Sequence, residues 1–163
     1  MSDPAETTDE IAIRVVNALE DYQQLSIGVV TDNADDPEAA VKGLVSLHLN
    51  WTEENPETAR LVARHRNAVA GGPLGGRLMA SNKEFFASMK VWIDRNAETG
   101  AMPPVSFNLM HAVTFAPTQE IAKLGLAGRL TKPLPGYADA LGDAAWAGLL
   151  ALPARSREQG TGP

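Results

Sequence analysis

The sequence predicts an all-α fold, a single-domain bundle of about six helices. Three observations carry that prediction. Apolar side chains return every three or four positions along most of the chain, the period of a helix with one buried stripe. Asp36-Pro37-Glu38 and Asn55-Pro56-Glu57 each place a capping side chain, a proline and an acid in series. That order suits the first turn of a helix, where the ring fits and the acid meets the positive end of the dipole. No segment alternates apolar and polar residues in the manner of a half-buried strand.

The first helix is expected from Asp9 to Val30, with Ile11, Val15, Leu19, Tyr22, Ser26 and Val29 on its stripe. Asp36 caps the second, which carries Val41, Leu44, Val45, His48 and Trp51 as far as Asn55. A third runs from Pro56 to about Asn67. "AGGPLGG", residues 70–76, is a loop, because four glycines and a proline do not hold a helix. The fourth helix follows from Arg77 to about Thr99, with Leu78, Phe85, Phe86, Met89, Trp92 and Ile93 on its apolar side and Gly100 as its C-terminal cap. The fifth, from about Ser106 to Leu126, is apolar nearly all round from Leu109 to Ala116 and should be buried on more than one side. Pro117 should bend it. "GRLTKPLPG" is a second loop. The last helix, about Tyr137 to Leu152, presents the small residues Ala138, Gly142, Ala145 and Gly148 on one face. Residues 1–8 read as a flexible lead-in, 9–152 as the domain and 153–163 as a disordered tail.

A chain of 163 residues suffices for one domain with a core, burying about 70% of the surface its unfolded form exposes. Fourteen basic against twenty acidic residues give a net charge of −6, which disfavours contact with phosphate backbones, so no direct nucleic-acid partner is expected. The absence of cysteine removes disulfides and thiolate chemistry and fits the cytoplasm. "MSDPAETTDE" is acidic and polar, unlike a signal peptide, and no apolar run approaches the ~18 residues of a membrane span.

Chemical motifs are sparse. "GGPLGGRL" has the glycine spacing of a phosphate loop but puts Arg77-Leu78 where Lys and Ser or Thr are needed, with no strand before it. His48, His65 and His111 lack the spacing that sets two metal ligands on one helix face. His65, within "ARHRN", reads as a solvated residue. Thr114 lies one turn after His111, a spacing as compatible with a local hydrogen bond as with a nucleophile and its base. No cofactor, metal or enzymatic activity is expected. Phe85, Phe86, Met89, Trp92, Phe107, Met110 and Phe115 read mostly as core, though a gap between helices lined by some of them would form a ligand pocket. Its polar contacts would come from Asn82, Asn108, His111 and Thr114. His111 stays open between a satisfied core histidine and a pocket group.

The order of features resembles the ligand-binding and dimerisation half of TetR/AcrR-family transcriptional regulators. "DDPEAAVKGLVSLHLNWTEENPETARLV" resembles the start of that regulatory domain, and "FASMKVWIDRNAETGAMPPV" its central helix and following turn. "HAVTFAPTQEIAKLGLAG" and "YADALGDAAWAGLLAL" resemble its last two helices. The likeness covers about residues 9–152. Ala116-Pro117 stands where the family often has Gly-Pro, and nothing matches the "G-x-S-x-x-x-x-Y-x-x-F" run of the family's three-helix DNA-reading head. Met1 directly before the acidic lead-in is what a naturally short chain would carry.

The resemblance implies a homodimer closed by helices 106–126 and 137–152, including Phe115, Ile121, Leu141, Ala145, Trp146 and Leu149. It implies a cavity for a small hydrophobic or aromatic ligand, at positions matching Trp51, Phe85, Met89, Trp92, Met110 and His111. Asn82, Phe107 and Phe115 complete the candidate pocket. The expected function is an effector-binding module that does not itself bind DNA. One alternative is a module that heterodimerises with a full-length TetR-type regulator and modulates it. A second is an enzyme on the same fold, in which substitution of His111 would abolish turnover.

Overall fold

Local side-chain capping starts three of the six helices. The computed structural model describes residues 6–152. Thr7 and Glu10 form a reciprocal capping box at the head of α1 (Thr8–Asp32): Thr7 Oγ1 accepts from the Glu10 amide and the Glu10 carboxylate accepts from the Thr7 amide. Glu6 pairs with Arg14 at 2.8 Å. Residues 6–8 of the expected lead-in are therefore built into the helix start, while 1–5 and the expected tail, 153–163, lie outside the described residues.

Asp36 opens α2 (Pro37–Glu54) by accepting from the Ala39 amide at 3.0 Å. Asn55 behaves differently. Its Nδ2 donates to the Trp51 carbonyl at 2.9 Å, so it closes α2 instead of capping α3 (Pro56–Ala70). The glycine loop is shorter than its composition suggests, because α4 (Gly75–Glu98) already begins at Gly75. Gly100, at φ +74°, provides the left-handed turn after α4, and the Met102 amide returns to the Asn96 carbonyl at 3.1 Å.

Ser106 caps α5 (Phe107–Leu126) through the Leu109 amide at 3.2 Å. This helix continues through Pro117. Thr118 Oγ1 donates to the Thr114 carbonyl at 3.0 Å in the turn where proline removes a backbone donor. The loop expected over 128–136 ends in a short 3-10 turn, Leu134–Tyr137, because Leu134 inserts into the core and its amide donates to Glu53 at 3.1 Å. Then comes α6 (Ala138–Leu150). No strand occurs among the described residues, so the domain is an all-α bundle of six helices. No helix among them is long and apolar enough to cross a membrane.

Two apolar clusters hold the bundle. The larger joins α2, the second half of α4, α5 and α6 around Val41, Leu44, Val45, Leu49, Met89, Met110 and Leu149. The smaller joins the first half of α1 to the end of α3 and the start of α4 through Val15, Val16, Val69 and Leu78. Helix α2 packs against α1, α3, α5, α6 and the 3-10 turn. Its buried leucines make it the least replaceable element, since truncating such a residue to alanine costs roughly 2–5 kcal/mol.

The small-residue face of α6 serves the interior. A methyl group on Gly142 would come within 3.1 Å of Lys42 Cγ, and one on Gly148 within 2.9 Å of Val113 Cγ1, so these glycines let α6 seat closely on α2 and α5. This corrects part of the expected dimer interface. Ala145 and Leu149 are buried within the chain, because the α6 face carrying them packs on α2 and α5, and Phe115 is buried on the inner side of α5; Ile121, Leu141 and Trp146 are half-buried. Ala112, Ala116, Ala140, Ala144 and Ala147 are exposed on α5 and α6, together with polar residues that include Asn108, Glu120, Asp139 and Asp143.

The glycine loop has a steric purpose. A methyl group on Gly75 would collide with the Ala70 carbonyl at the end of α3, whereas one on Gly76 would meet nothing. Gly75→Ala is expected to destabilise the domain by about 2 kcal/mol. Gly76→Ala, at an open helical position, should be neutral or gain up to about 1 kcal/mol. Urea unfolding of both variants checks this, and equal effects would refute the steric account.

Candidate ligand-binding site

Where the two apolar clusters fail to merge, five helices enclose a partly open cavity of about 940 Å³. Tyr22 and Gln23 reach it from α1, and His48, Trp51 and Thr52 from α2. Helix α3 turns Ala59, Val62 and Ala63 toward it, flanked by Arg60, Arg64 and Arg66. Asn82, Phe85 and Phe86 come from α4, and Phe107, His111, Phe115, Gln119 and Lys123 from α5.

The spacing on α5 explains its contribution. Positions 107, 111 and 115 repeat every four residues, so their rings stand one above another on one helix face. His111 lies 5.0 Å from the Phe115 ring at 26° and 5.7 Å from Phe107. Phe86 meets Phe107 edge-on at 4.3 Å, which links the α4 and α5 walls. On the other side Tyr22 packs edge-on against Trp51 at 5.4 Å and shares a hydrogen bond of 2.8 Å with His48 Nδ1.

Three polar-tipped rings, Tyr22, His48 and His111, thus come to the cavity from three different helices. Burial holds the Tyr22 hydroxyl well above its usual pKa, so it stays protonated. Burial, helped by the charge that His111 can carry, pushes His48 down to about 4. His111 is also lowered, first by burial and then by repulsion from Arg66. At neutral pH both imidazoles are neutral and offer one donor and one acceptor each. A second polar cluster braces the wall: Gln23 Nε2 donates to Asn82 Oδ1 at 2.7 Å, and Ser81 Oγ donates to Gln23 Oε1.

Of the residues the sequence nominates for a pocket, the fold brings Trp51, Asn82, Phe85, Phe107, His111 and Phe115 to this cavity. Met89, Trp92 and Met110 are elsewhere. Successive turns carry them away from the cavity edge into the larger core, where they are 0%, 4% and 0% exposed. Asn108 is exposed on α5, and Thr114 is fully buried outside the lining. Thr114 Oγ1 has no partner among the described residues, so no His111–Thr114 couple forms. His65 is half-buried and outside the lining.

Tyr22 and His48 are pocket residues that the sequence reading placed only on buried stripes. The signal was the coincidence of polar-tipped rings on the stripes of two consecutive helices. Among the described residues, no three His, Asp or Glu side chains gather as metal ligands would. The arrangement can bind and orient a molecule with an apolar body and a few polar atoms.

No family model matches the chain, and no curated protein matches it in sequence.

The depressed His48 pKa has a consequence for stability. Its unfolded reference is about 6.5, so between pH 6.5 and 4 the folded protein binds fewer protons than the unfolded chain. Stability is therefore complete above pH 6.5 and falls as the pH drops toward 4, by up to about 3 kcal/mol from His48. His111 adds in the same direction. Denaturant unfolding from pH 7.5 to 4 should show this slope, and His48→Gln should flatten it. An unchanged slope in that variant would show that His48 is not the group responsible.

Proposed function

We propose that this chain is a TetR-like effector-binding and dimerisation module that takes a small hydrophobic or aromatic ligand and does not itself contact DNA. The aromatic-walled cavity with Tyr22, His48 and His111 in its lining is the observation that carries the reading. Its volume of about 940 Å³ is at the upper end of the range for small-molecule pockets, roughly 300–1,000 Å³. The resemblance of the helix order to TetR/AcrR regulatory domains supplies the biological setting, including the cytoplasm.

Dimerisation is the second part of the proposal. The outer faces of α5 and α6 expose Ala112, Ala116, Ala140, Ala144 and Ala147, small side chains over which a second pair of helices could approach closely. A copy of this chain is the favoured occupant. A full-length TetR-type regulator bearing matching helices is the alternative, in which mixing the two proteins would weaken operator binding.

Trp51 reports on the cavity, while Trp92 lies in the core and Trp146 on α6. In the double variant Trp92→Phe/Trp146→Phe, the neutral probe N-phenyl-1-naphthylamine should quench Trp51 emission. It should also raise the melting temperature of the natural chain by a few degrees, as binding to the folded state alone requires. Neither effect would occur if the cavity does not bind apolar molecules.

Light scattering should give twice the chain mass of 17.3 kDa, and Ala144→Arg should return it to one. A natural chain that is already monomeric at high concentration would remove the homodimer from the proposal.

A further inference from the structure

The charge of the cavity wall is opposite to that of the protein. The chain carries −6 overall, with twenty acidic residues. Among the described residues, however, no carboxylate lines the cavity, while Arg60, Arg64, Arg66 and Lys123 all do. Three of these four cations lie within seven positions of α3. Their side chains are not equally occupied. Arg60 donates to Glu57 at 2.7 Å and to the Leu126 carbonyl at 3.0 Å, and Lys123 stands 3.8 Å from Glu120. Arg64 and Arg66 have no carboxylate partner among the described residues.

Arg66 is the better placed of the two. It follows Ala59, Val62 and Ala63 on the face of α3 that looks into the cavity, at the spacings of three and four that share a helix side. Its charge also reaches His111 on the facing helix, where it works against protonation. A guanidinium with no carboxylate partner among the described residues thus stands at the edge of a space walled by Phe85, Phe107 and Phe115. A cleft lined by one sign of charge and backed by low-dielectric walls concentrates ions of the opposite sign. A guanidinium can grip a carboxylate through two parallel hydrogen bonds.

We propose that the cavity selects amphipathic organic anions, with a ligand carboxylate held by Arg66 beside His111 and an apolar or aromatic body among the phenylalanine rings. This deepens the ligand-binding reading above and rests on it. Arg64 adds to the field that draws the anion in. A cationic ligand is disfavoured, because among the described residues it would meet positive charge and no carboxylate. A neutral ligand of the same shape would gain the apolar contacts and leave Arg66 uncompensated.

The test compares two ligand pairs that differ only in charge: 1-naphthylacetate with 1-naphthylacetamide, and decanoate with decanamide. Binding to the full chain is measured by calorimetry in 50 and 500 mM NaCl. In at least one pair the carboxylate should bind about tenfold or more tightly than the amide at low salt, as expected for a charge-assisted bond. That advantage should shrink at high salt. Arg66→Gln should remove most of it and leave amide affinity unchanged, whereas Lys90→Gln, at an exposed site outside the cavity, should change neither.

Equal affinities within both pairs, or a carboxylate preference that survives Arg66→Gln, would overturn the inference while leaving a hydrophobic-ligand module standing. Failure of all four compounds to bind would overturn it too. The N-phenyl-1-naphthylamine result then decides whether the wider reading falls with it.

Discussion

The two apolar clusters are held apart, and the cavity of the domain depends on that separation. Val15, Val16, Val69 and Leu78 condense at one end of α1, while the stripe of α2 condenses with α5 and α6. The cavity between them is lined by large side chains, several with polar tips: Tyr22, His48, Trp51, Phe107 and His111. Burying an imidazole or a phenol is costly unless it finds a partner, and the Tyr22–His48 hydrogen bond supplies one. The cavity is thus written into the choice of side chains at the inner face of α1, α2 and α5.

Much of the architecture was legible because helix signals are local. The Asp36 cap, the Pro37 and Pro56 first-turn positions, the Ser106 start and the Gly100 stop each act within a few residues, so no tertiary knowledge is needed to find them. Asn55 shows the limit. Its sequence context matches a cap, yet its side chain turned back to Trp51, since one amide can serve only one helix end at a time. The inner face of α6 was legible as small but not as to its partner: periodicity identifies a face, and only the assembled bundle shows that Gly142 rests on Lys42.

The site was legible in part for the same reason. Phe107, His111 and Phe115 share a helix face by spacing alone, so they stay together wherever that face points. Met89, Trp92 and Met110 have the same composition as a pocket wall but lie where the helices touch, and composition does not distinguish the two. The arginines of α3 were hardest to see. Arginine on an amphipathic helix is usually a solvated residue, and its position over a cavity emerges only when α3 is laid across α1 and α4.

Helix α3 is also the most thinly seated of the six, with only Ala59 and Val69 fully buried along its length. Arg60 fastens it to the Leu126 carbonyl at the far end of α5, a single exposed bond. Few apolar contacts and solvent-facing bonds mark the segments that open at low free energy. It is therefore the part of the cavity wall held by the fewest buried side chains, whereas α1, α2, α4 and α5 each bury five or more.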